Sequence, residues 1–142
     1  MDSVERFRKI AIKRGLTPGA LLEACPEDFD LLLLSLRREF PVARTVAERE
    51  VNDILFHWLQ STGGMLDVDH VELRRWLVDL NILSRDAYGR AYSLAPLPLR
   101  LVNLAADVAG VDFSREFADA NARESQKRAA RKMAWQQART AP

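Results

Sequence analysis

Along most of the chain, apolar residues recur at intervals of three and four, the period of a helix with one buried face. Between positions 2 and 13, Val4, Phe7, Ile10 and Ala11 share such a face, and Gly15 ends it. Thr17 followed by Pro18 has the form of a helix cap and first turn, which predicts a short helix to Ala24. Pro26, Glu27 and Asp28 open another, because proline fits a first turn and carboxylates favour the positive end of the helix dipole. Phe29, Leu32, Leu33 and Leu36 make its inner stripe. Leu31 and Leu34 widen that stripe, which predicts burial on more than one side.

Beyond Phe40 and Pro41, Thr45 and Glu48 stand at the spacing of a capping box and predict a helix starting there. Val51, Ile54, Leu55 and Trp58 follow at i, i+3, i+4 and i+7, and Ser61, Thr62, Gly63 and Gly64 end the run. Asp69 begins the next helix, with Leu73, Trp76, Leu77 and Leu80 on one face. Around Gly89, which allows a positive backbone angle, the pattern predicts two short strands over 83–85 and 90–93. Pro96 and Pro98 separate off a helix over 99–108, closed by Gly110. Residues 114–139 contain no helix breaker and are rich in helix formers, while the apolar face thins after Phe117. A long helix, protruding or partly frayed, is expected there.

The order helix, turn, helix, hairpin is the plan of a winged helix-turn-helix. The expected fold class is therefore mainly α: that motif with a short two-stranded hairpin, extra N-terminal helices and a long C-terminal helix. Residues 1–39 would be N-terminal helices packed on the core, 40–95 the winged-helix-like unit, and 96–142 a helical extension with a basic tail.

Composition narrows the chemistry. The chain has 142 residues, 48% of them apolar, enough for one globular domain with a core of its own. Cys25 is the single cysteine, so no disulfide forms within the chain. With His57 and His70 far from it in sequence, a four-ligand zinc site is not expected, nor is any other cofactor. Cys25 reads as a small buried residue, and Asp67 and Asp69 read as turn and cap residues. There is no glycine-rich phosphate loop and no nucleophile, base and orienting group at a recognisable spacing, so no enzyme is expected. No apolar run approaches the roughly 20 residues of a membrane span. The first fourteen residues are charged throughout, and the cytoplasm is the expected compartment.

Several words of the sequence are more specific. Phe40-Pro41, then Glu48, Glu50, Val51 and Asn52, then Asp69, then Leu73-Arg74-Arg75-Trp76-Leu77-Val78-Asp79, then Leu83-Ser84-Arg85, and last Gly89 and Tyr92, resemble a bacterial family known as domain of unknown function 2087. The resemblance covers about residues 32–94. It implies a winged-helix-like fold, often attached to regulator domains and acting in transcription, and it implies no reaction. Two departures stand out. The chain has extra residues between Asn52 and Leu73, Gly63 and Gly64 among them, and it carries Glu27, Asp28 and Asp30 where the family tends to be lysine-rich.

With Leu73, Trp76, Leu77 and Leu80 facing the core, Arg74 falls on the flank of its helix and Arg75 on the outer face. An outward arginine there suits the O6 and N7 of guanine. His70, Arg74 and Arg75 are thus candidate DNA contacts, with Arg85 and Arg90 on the wing. In the competing reading one arginine, Arg74 above all, pairs with Glu48 or Glu50 and locks two helices together. Residues 40–94 hold six basic side chains against eight acidic ones, so phosphate affinity requires clustering on one face or help from the tail.

The formal net charge of +1 is indeed uneven, with seven basic against three acidic residues over 114–139. Lys127 leads into Arg128, Arg131, Lys132, Trp135 and Arg139, a basic stripe carrying one aromatic. Such a stripe can follow phosphates, lie on an acidic protein or anionic membrane surface, or simply be solvated. Two functions are therefore expected in competition. One is a DNA-associated transcriptional regulator with double-stranded DNA as its partner. The other is a non-enzymatic interaction module that keeps the winged-helix shape and joins an assembly through its apolar faces and basic C-terminal tail, as a homodimer or with a protein partner through the C-terminal helix.

Overall fold

In the computed structural model, which describes residues 2–141, the Asp2 carboxylate accepts a hydrogen bond from the Glu5 amide (2.8 Å) and starts α1 (Ser3–Ala11). Both α2 (Pro18–Ala24) and α3 (Pro26–Arg37) open on proline. Every residue from Leu31 to Leu36 is buried, the outcome that the doubled stripe predicts, and α3 runs through the core. Cys25, by contrast, is half-buried at the start of that helix rather than enclosed.

The Thr45–Glu48 capping box does not form. Val46 and Ala47 instead make β1 (Val46–Ala47), and α4 (Glu48–Leu59) begins after it with no side-chain cap. Val46 is buried and lies opposite Tyr92, so the β-branched side chain gains packing and pairing that a helical turn would forgo. Next come α5 (His70–Asp79), capped by Asp69 through the Glu72 amide (2.8 Å), and the strands β2 (Leu83–Arg85) and β3 (Ala91–Leu94). The expected two-stranded hairpin is therefore the larger part of a three-stranded antiparallel sheet, ordered β1-β3-β2. Asn81 turns the chain from α5 into β2 at φ 59°, a left-handed conformation that asparagine tolerates.

A 3-10 turn (Leu99–Leu101) runs into α6 (Val102–Asp107), and Asp112 caps α7 (Phe113–Thr140). The first and last helices meet. Phe7 packs edge-on against Phe113 with ring centroids 4.9 Å apart, and Arg8 donates to Glu116 at 2.7 Å. From Ser125 to Ala141 every residue is exposed, yet α7 stays helical to Thr140, so the tail protrudes without fraying.

One apolar cluster joins all of these elements, and Leu55 and Leu77 are fully buried where α4 packs on α5. The extra residues between those helices are no loose loop. Met65 is fully buried, and Leu16 bridges to Leu66, with the Leu16 amide donating to Met65 (3.0 Å) and the Asp67 amide to Leu16 (2.7 Å). The connection between α1 and α2 thus holds the α4–α5 turn in place. Among the described residues, no helix is long and apolar enough to cross a membrane.

Candidate nucleic-acid interface

Burial of Leu73 and Leu77 sets the rotation of α5 and directs its polar residues outward. Arg74 sits on the flank, with its side chain 16% exposed. It pairs with Glu48 at 3.0 Å and donates to Asn52 Oδ1, which ties α5 to α4. Glu50 turns away to Arg44 (2.8 Å), and the hydrogen bond from that guanidinium holds the Glu50 carboxyl below the usual carboxylate range.

Arg75 is exposed on the outer face, without an ion pair among the described residues. Arg85 reaches the same place from the sheet. Side chains alternate along a strand, so Arg85 lies on the face of Leu83, directly opposite the buried Tyr92. As a result Arg74, Arg75, Val78, Asp79, Arg85 and Tyr92 line one cleft of about 330 Å³ between α5 and the hairpin. Three of the sequence-derived candidates converge there.

His70 and Arg90 lie outside that lining. His70 is half-buried in the first turn of α5. Arg90 is exposed at the hairpin tip, where its amide donates to Asp86 (2.8 Å) and, with neighbouring amides, holds the Asp86 carboxyl below its usual range. Gly89, at φ 67°, makes this tight tip accessible. Asp79 and Tyr92 are cleft residues absent from the sequence-derived candidates. The i, i+4 spacing of Arg75 and Asp79 on one helix face was the available signal for the first.

In the tail, Arg128 and Arg131 flank Glu124 at 3.5 and 3.4 Å, and Arg139 stacks over Trp135 at 4.7 Å. Lys132 is exposed, and Lys127 lines a separate cleft between α1 and α7. The candidates therefore fall into two groups, one at the helix–hairpin junction and one along the last helix.

The first group defines a helical protein with an arginine-lined cleft between a helix pair and a small antiparallel sheet. A family model described as "Uncharacterized protein conserved in bacteria (DUF2087)" matches residues 24–94, the stretch holding α3 through β3, and the chain belongs to that family. Neither a curated protein nor a solved structure matches the chain.

Proposed function

We propose that residues 40–95 form a winged helix-turn-helix and that the chain is a DNA-associated regulator of the bacterial cytoplasm. In this reading α5 enters the major groove and the β2–β3 hairpin is the wing. The observation that carries it is the convergence of Arg74, Arg75 and Arg85 on one cleft between that helix and that hairpin. The strand order β1-β3-β2, in which the strand before the helix pair closes onto the hairpin behind it, supports the same reading.

Roles divide by constraint. Arg74 is held by Glu48 and Asn52 and sets the angle of α5, while Arg75 and Arg85 are exposed and make no ion pair among the described residues, which suits them to base or phosphate contacts. Selection of binding sequences from a random duplex pool tests this. The parent should enrich a motif, and Arg75→Ala, still folded, should bind it more weakly by about 1–3 kcal/mol. No enriched motif, or undiminished binding by Arg75→Ala, would refute the assignment.

A second reading has two specific observations behind it. Asp79 places a carboxylate in the cleft, and Phe56 on the outer side of α4 is 51% exposed, features that suit a protein partner better than a phosphate backbone. Co-purification of a stoichiometric protein partner that Phe56→Ser abolishes, without any enriched DNA motif, would favour the interaction module.

A further inference from the structure

The two ends of the chain hold most of its surplus positive charge, and the fold packs them side by side. Residues 2–14 carry five basic side chains (Arg6, Arg8, Lys9, Lys13, Arg14) against Asp2 and Glu5. Residues 114–141 carry seven against Glu116, Asp119 and Glu124, so the two segments together net +7. Residues 15–113, with nine basic and fifteen acidic side chains, net −6. The Phe7–Phe113 contact and the pairing of Arg8 with Glu116 and Arg14 with Asn121 join the two basic segments into one layer on an acidic body.

Within that layer the cations gather. Lys9, Arg123 and Lys127 line a cleft of about 230 Å³ between α1 and α7, together with Arg8 and Glu124. Lys9, Arg123 and Lys127 are exposed, and none of them makes an ion pair among the described residues. The cleft also leads somewhere. Phe113, Phe117, Ala120, Glu124, Arg128, Arg131, Trp135 and Arg139 succeed one another at intervals of three or four, which keeps them along one side of α7. The side that packs on α1 at its start therefore becomes, beyond α1, a basic ledge with one aromatic. From Ser125 to Thr140 this ledge is helical, roughly 24 Å long at 1.5 Å per residue, and has no acidic residue.

We infer that the α1/α7 layer is the phosphate-binding surface of this protein, taking the backbone of duplex DNA along the cleft and the ledge. The inference deepens the DNA reading above and rests on it for the identity of the duplex. Phosphate neutralisation with counterion release needs several cations in line, and this layer supplies them where the acidic unit around α5 does not. A membrane surface fits less well, because the side of the tail away from the ledge offers only Ala129, Ala130 and Met133 among Gln126, Gln136, Gln137 and Thr140, no wide apolar face to insert.

The test uses the full chain, a fluorescein-labelled duplex of random sequence, and anisotropy titrations between about 50 and 200 mM salt. Lys9→Gln, Arg123→Gln, Lys127→Gln and Lys132→Gln, combined in one variant, remove exposed cations and keep good helix formers. Each lost contact takes about 0.9 from the slope of log affinity against log salt, so the slope should fall by roughly 3 to 4. Arg75→Ala should leave that slope within about one contact of the parent. If the fourfold variant melts early, Lys127→Gln with Lys132→Gln alone should lower the slope by about 2. Neutralised variants that match the parent's slope overturn this inference and leave the reading of α5 standing. A parent that binds no duplex but binds phosphatidylserine vesicles or polyglutamate overturns both.

Discussion

Gly63 offers the sharpest test of how the α4–α5 turn is built. A Cβ added there would lie 2.3 Å from both Cε3 and Cζ3 of Trp58 and 2.7 Å from Cδ2, far inside the 3.5–4.0 Å at which carbon atoms attract. The ring has nowhere to go. Trp58 is 3% exposed and its indole nitrogen donates to the buried Ser35 hydroxyl at 3.2 Å, so retreat would break a bond to α3. Overpacking costs about 1–3 kcal/mol and loss of the buried bond about 1–3 more, so Gly63→Ala should destabilise the fold by roughly 2–6 kcal/mol. Taking about 3 °C per kcal/mol for a domain of this size, Tm should drop by roughly 6–18 °C. Circular dichroism melts measure it. Gly19→Ala is the control, since a Cβ on that helical glycine meets nothing within 4 Å, and it should be neutral or raise stability by up to about 1 kcal/mol. Trp58→Phe removes Cε3 and Cζ3 of the indole, the two atoms in closest contact, so the double variant should be more stable than the sum of the two single changes implies. Gly63→Ala melting with the parent, or strict additivity in the pair, would refute the argument.

Leu55→Ala and Leu77→Ala, at fully buried positions on α4 and α5, should each cost about 2–5 kcal/mol in denaturant titrations; parent-like midpoints would mean that the two helices do not share this core. Hydrogen bonds from Arg8, from Arg44 and from the hairpin amides hold Glu116, Glu50 and Asp86 below the usual carboxylate range. Each therefore stabilises the fold above the ordinary carboxylate pKa and gives up that contribution as pH falls through its lowered value, so Tm should be level down to about pH 5 and fall below about pH 4. Glu116→Gln should flatten part of that fall, and a Tm that climbs on acidification would contradict the sign. Deleting residues 127–142 removes only exposed side chains among those described, so the melt should shift by no more than about 0.5 kcal/mol of stability, and cooperative unfolding lost on truncation would overturn that.

Much of the helical frame was legible because its signals are local. Proline at the first turn of α2 and α3, Asp69 before α5, and the stripe from Val51 to Trp58 each act within a turn or two, and the structure follows them. β1 was not legible in the same way. It is two residues long and exists only through its pairing with β3, so the spacing of Thr45 and Glu48 imitates a cap that tertiary pairing overrides. The pairing of Arg74 with Glu48 was readable, since both helices and the facing flank were known. That Arg85 meets Arg75 was not, because it depends on the left-handed turn at Asn81 and on strand register. A one-residue slip would put Arg85 on the opposite face of the sheet.

The basic layer illustrates a different blindness. Windows along the sequence see a charged first helix and a charged last helix as separate features, and the overall charge of +1 cancels them against the body. The packing of Phe7 on Phe113, with Arg8 on Glu116 and Arg14 on Asn121, makes them one surface. On the reading proposed above, this arrangement splits the work of recognition. Long-range attraction belongs to the layer, whose two segments net +7 against −6 for residues 15–113. Discrimination belongs to the cleft, where Arg75 and Arg85, neither in an ion pair among the described residues, stand beside Asp79 and exchange phosphate attraction for contacts that depend on the base presented. A net negative helix–hairpin unit is then no obstacle to DNA association. It keeps non-specific affinity away from α5 and leaves that affinity to a surface built from the two ends of the chain.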